Sequence, residues 1–139
     1  MSYNKQLPAT EITDKVTRAT VDFAEDFGNY LGTDKTERDP KTGRYRIVET
    51  KLTTSQLRKF FGEVKRQQME GYNETAFVLL KPKLAYAVGR ADRNSKIKDF
   101  YLTISNLMDL VKDEKTFKNF IQVFEAIVAY HKAAEEQRM

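Results

Sequence analysis

Lys51 to Arg93 reads KLTTSQLRKFFGEVKRQQMEGYNETAFVLLKPKLAYAVGRADR, and this stretch decides the fold. It opens on a helix start signal. Thr53 is followed three residues later by Gln56, the spacing of a capping box, and Leu52 and Leu57 flank it as a hydrophobic staple. Leu57, Phe60, Phe61 and Val64 then fall on one helical face, and Gly71 ends the pattern. Arg58, Lys59, Lys65 and Arg66 lie within an arc of about 120° on the opposite side, at about 100° per residue. One side is core; the other is either a solvated face or a track for a polyanion.

Residues 72–92 carry the next unit. Phe77, Leu80, Leu84, Ala87, Val88 and Ala91 keep helical spacing across Pro82, which predicts a kink or short break near Leu80–Lys81. Lys81 and Lys83 flank that proline. Lys83, Tyr86 and Arg90 then recur at i, i+3, i+4 steps, a cation–aromatic–cation row suited to phosphate pairing with stacking on a base or sugar. A half-buried core position with its hydroxyl at the surface is the plainer reading of Tyr86. Arg93, Lys96 and Lys98 extend the basic run into the next helix start.

Working outward, residues 95–112 and 114–136 form two amphipathic helices, capped by Asn94 or Ser95 and by Asp113. Residues 9–31 read as a first helix, with Thr10 as its cap, Glu11 and Asp14 near its positive end, and Gly28 and Gly32 marking its finish. Residues 32–51 have little periodicity. Arg44 to Val48 can form a brief strand, but a lone strand lacks a partner, so the segment is read as a mobile linker whose basic part closes over a ligand. The whole is a single all-α domain over 1–139, a bundle of about five helices.

Composition narrows the function. The 139 residues carry 24 Lys and Arg against 20 Asp and Glu and no cysteine, which excludes disulfides and thiolate metal sites. The charge is uneven: residues 1–39 hold a net −3, residues 40–100 a net +8 and residues 101–139 a net −1. A basic centre of this kind attracts polyanions. No apolar run nears the roughly 20 residues of a membrane span, and the N-terminus lacks a secretory pattern. A soluble, cytoplasmic chain is therefore expected. Enzyme chemistry has little support, because His131 is the only histidine and no glycine-rich phosphate loop or metal-ligand spacing occurs. No cofactor is expected.

Three stretches, LTTSQLRKFF (52–61), LLKPKLAYAVGR (79–90) and FIQVFEAIVAYHK (120–132), together resemble the small subunit of type III-A (Csm) CRISPR effector complexes over roughly Lys51 to Lys132. The central LKPKLAYAVGR run is the most specific part, and the first helix and the linker match only in general character. The resemblance implies a non-catalytic helical protein whose copies stack head to tail beside backbone and large subunits. It implies contact with the guide RNA and the target single-stranded RNA, and a part in antiviral defence. Carried onto this chain, the implied RNA contacts are Lys51, Arg58, Lys59, Lys81, Lys83 and Arg90, with Tyr86 as a neighbour of the patch. Contact would be with the backbone and largely sequence-independent, with sequence chosen by guide–target pairing. The alternatives are a protein–protein adaptor and a helix-turn-helix DNA-binding protein. Against the latter, Phe77, Val78, Leu79 and Leu80 stand where a reading helix needs polar side chains.

Overall fold

The computed structural model describes residues 3–136. Its most extensive helix–helix contact joins α2 (Arg18–Leu31) to α7 (Glu114–Glu136), with the short α1 (Thr10–Thr13) beside α7. Glycine makes the seam close. A Cβ on Gly28 would stand 2.6 Å from the Cβ of Tyr130 and 2.8 Å from the His131 backbone nitrogen; one on Gly32 would stand 2.8 Å from the His131 carbonyl oxygen. Gly28 is thus a contact point inside the helix, where the sequence pattern marks a helix end.

The first helix is not continuous over 9–31. It breaks at 14–17, and Thr17, not Thr10, caps α2, accepting from the Ala19 backbone N–H. The buried Glu11 spans the break. Its carboxylate accepts from the backbone N–H and hydroxyl of both Thr17 and Thr20, at 2.6–3.1 Å. Burial alone would raise its pKa, but these four bonds outweigh that and hold it below the usual range.

Residues 32–51, expected as a linker, contain a β-hairpin. Strand β1 (Lys35–Arg38) pairs antiparallel with β2 (Tyr45–Glu49), placing Thr36 opposite Ile47 and Arg38 opposite Tyr45. The expected strand therefore has a partner. The turn closes on backbone bonds between Asp39 and Arg44 and between Gly43 and Asp39, both 2.8 Å, with Gly43 at φ 72°. The return limb is tied down: Thr50 bonds to the backbones of Asn94 and Lys96, and Leu52 N–H donates to the Leu31 carbonyl at 2.8 Å.

Beyond the hairpin the chain forms α3 (Thr54–Glu70), α4 (Glu74–Val78), α5 (Leu80–Arg90) and α6 (Ile97–Met108) before α7. The capping box at Thr53 and Gln56 is present as read. The break in the third unit falls at Leu79, one residue ahead of the expected site. Pro82 consequently sits in the first turn of α5, where its missing N–H would have had no helical partner. Phe60, Phe77, Phe100, Phe117, Phe120 and Phe124 form the centre of the core, with ring centroids 5.3–6.0 Å apart. The expected all-α bundle holds, with a small two-stranded sheet added.

Candidate nucleic-acid interface

The cationic arc of α3 is divided by its neighbours. Helix α5 packs on one flank and α7 on the other. Lys65 leans toward α7, where its ammonium meets Glu125 at 2.5 Å. Arg66 turns along the other flank to Glu63, and to Glu70 at 3.7 Å. Among the described residues Arg58 and Lys59 make no ion pair, so the two α3 cations that the resemblance implies as RNA contacts are also its freest.

Lys59 faces a cleft of about 580 Å³ between α3 and α5. Lys83, Tyr86 and Arg90 line the opposite wall, so the i, i+3, i+4 row read from the sequence is one face of α5 and points into the cleft. Tyr86 is 67% exposed, which rejects the half-buried reading. The Arg90 guanidinium lies 5.6 Å from the Tyr86 ring centroid and braces it. Phe60, Leu80, Leu84 and Ala87 form an apolar floor. Glu63 stands at the rim, bonded to Arg66 and, at 3.2 Å, to Lys83. The Arg66 hydrogen bond, followed by that of Lys83, holds its carboxyl below the usual range. The rim therefore carries three cations against one carboxylate, and the Lys83 ammonium, with three donors, can keep its bond to Glu63 and still donate to a phosphate.

The remaining sequence candidates scatter. Lys81 sits on the far flank of α5, paired with Asp109 next to the end of α6. Lys51 lies near the end of α7, 3.5 Å from Glu135. Arg93 is exposed in the α5–α6 connection and outside the cleft. A smaller hollow of about 140 Å³ between α3 and α7 gathers Arg58 with Lys132. Lys132, the last residue of FIQVFEAIVAYHK (120–132), lies outside the basic centre of the sequence, and only the packing of α7 on α3 brings it beside Arg58.

Lys96 does not extend the patch. It is 4% exposed, and its ammonium donates to the carbonyls of Tyr30 and Thr33 at 2.8 and 2.7 Å, over the Tyr30 ring at 4.0 Å. Burial pushes its pKa down. It fastens the start of α6 to the end of α2. His131 is equally structural: 1% exposed, with Nε2 2.6 Å from the Leu52 carbonyl oxygen. A carbonyl only accepts, so Nε2 carries the proton. Among the described residues no group of three His, Cys, Asp or Glu side chains is placed to hold a metal, and no helix is long and apolar enough to cross a membrane.

A family model described as Csm2 Type III-A matches residues 35–137. The match takes in the hairpin and every helix after it, so the likeness begins well before Lys51 and leaves out α1 and α2. No curated protein and no solved structure matches the chain.

Proposed function

The chain belongs to the Csm2 Type III-A family, the small subunit of the Csm complex, and from that premise we propose that it grips the backbone of guide-paired target RNA along the α3–α5 face. It does no catalysis. Lys59, Lys83 and Arg90 neutralise phosphates, and base pairing elsewhere in the cytoplasmic ribonucleoprotein chooses the sequence. Copies stack head to tail beside the backbone and large subunits. A single copy offers few phosphate contacts, and arraying copies multiplies them through effective concentration. In the cell this supports target capture in antiviral defence.

One observation carries the reading: three cations from two helices meet on a single rim, and among the described residues Lys59 and Arg90 have no acidic partner. Binding of single-stranded RNA by the full chain over a salt series tests it. With three cations engaged, log affinity should fall against log salt with a slope of about −2, taking about 0.7 per contact on a single strand. Lys59→Glu should weaken binding to all sequences alike and flatten that slope. Affinity that ignores salt, or a Lys59→Glu variant with unchanged affinity, would overturn the proposal.

A protein-contact role coexists with this on another surface. Val78 and Leu79, 49% and 53% exposed at the α4–α5 junction, suit contact with neighbouring subunits. Helix α4 has five residues and buries Phe77, which leaves little for a helix-turn-helix reading of DNA.

A further inference from the structure

A groove that only tracks phosphates needs cations, and it gains nothing from an apolar floor. The α3–α5 cleft has one. Phe60, Leu80, Leu84 and Ala87 lie beneath the ring of Lys59, Lys83 and Arg90, and Tyr86 stands on the wall with most of its surface in solvent. At about 580 Å³ the cleft falls within the roughly 300–1,000 Å³ of sites that take small molecules. It is therefore large enough to admit a flat heterocycle and its sugar. The Arg90 guanidinium lies over the Tyr86 ring at 5.6 Å, a cation–π contact that favours this placement of the ring. An exposed aromatic beside an apolar floor and cations is the chemistry of a stacking platform for a base.

We propose that the α3–α5 cleft is a slot for one unstacked nucleobase of the bound single-stranded RNA, stacked on Tyr86, with the flanking phosphates held by Lys59, Lys83 and Arg90. This rests on the RNA-binding reading of the same face. The rim offers donors on Lys83 and Arg90 and an acceptor on Glu63, which keeps lone-pair capacity beyond its two cation bonds. Either kind of base edge finds a partner, so the slot takes any base and leaves the sequence choice to pairing. The nucleotide it captures is one that is not paired with the guide at that moment.

The test compares an intact single-stranded RNA with an abasic oligomer of the same length and charge, bound to the full chain at low salt and read by fluorescence anisotropy. The intact strand should bind roughly tenfold more tightly, the order of one base–aromatic stack. Tyr86→Ala should remove that difference by weakening the intact strand alone, and Tyr86→Phe should preserve it. Tyr86 is too exposed for either change to threaten the fold. Equal binding of the two strands, or a Tyr86→Ala variant that behaves like the parent, overturns the slot. If Lys59→Glu still weakens both strands in that case, backbone binding stands without it. If neither strand binds, both proposals fall together.

Discussion

At the α2–α7 seam a Cβ on Gly28 would stand 2.6 Å from the Cβ of Tyr130, whereas on the outer side of α3 a Cβ on Gly62 would meet nothing within 4 Å. The same residue is used for opposite reasons. At the seam its absent side chain lets two backbones touch. On α3 it only thins an open face. Charge follows the same division. Near the seam Glu11, Lys96 and His131 are buried and each is hydrogen-bonded. On α3, Arg58 and Lys59 are exposed with no acidic partner among the described residues. Buried polar groups must be satisfied or they cost free energy, so the seam fixes its polar side chains for the fold. Exposed cations contribute little to folding and remain free for a ligand.

The largest expected effect breaks the closed side of this comparison. Gly28→Val must drive α2 away from α7, because two of the atoms it meets are backbone atoms of α7 that cannot rotate aside. Overpacking of this kind costs about 3 kcal/mol, and the denaturant midpoint should fall accordingly with little change in slope. An unchanged midpoint would mean that the seam has slack and that the glycine is incidental.

His131→Ala comes next. It removes the donor to the Leu52 carbonyl and leaves a hole between α3 and α7. The loss should be about 2–3 kcal/mol, combining an unsatisfied acceptor with a cavity. RNA affinity, measured where the variant is folded, should not move. A fall in affinity with stability intact would draw His131 out of the structural set and toward the small hollow it shares with Arg58.

Glu11→Gln sharpens the electrostatic half. The carboxylate satisfies four donors at the start of α2, and an amide cannot replace all of them. About 1–2 kcal/mol should be lost near neutral pH. The native pKa of Glu11 lies below its ordinary value, so its contribution is full above the ordinary carboxylate range and disappears as pH falls through the native value. The gap between parent and variant should therefore close in acid. A gap that is constant with pH would show that the hydrogen bonds act without the charge.

This division also governs how much was legible beforehand. The capping box at Thr53 and the Lys83–Tyr86–Arg90 row could be read because each depends on spacing along one helix. What depends on a neighbour could not. The four cations of α3 share an arc on paper, yet α5 and α7 divide them, and Lys65 and Arg66 are spent on Glu125 and Glu63. Lys96 looks like its neighbours Arg93 and Lys98 in sequence, and only the carbonyls at the end of α2 make it structural. Strand β1, Lys-Thr-Glu-Arg, is exposed throughout and shows no alternation to announce it. The break at 14–17 carries no Gly or Pro, so its one local mark is the cap residue Thr17, and the role of Glu11 in capping the next helix depends on the fold.

The smallest effect is on the open side. Gly62 lies inside α3, makes no tertiary contact through its Cα side and has no positive φ, so Gly62→Ala has room and conformation for its methyl. Removing the extra backbone freedom of glycine from the unfolded chain should stabilise the protein by roughly 0.5–1 kcal/mol, opposite in sign to any change at Gly28. The melting temperature should rise by a few degrees. RNA affinity should stay within about twofold, because the side chains of Lys59, Lys83 and Arg90, and not the α3 backbone, make the proposed contacts. A stabilised variant that has lost affinity would place RNA against the α3 backbone itself. Gly62 would then match Gly28 as a point of close approach, with the approaching chain supplied by the ligand.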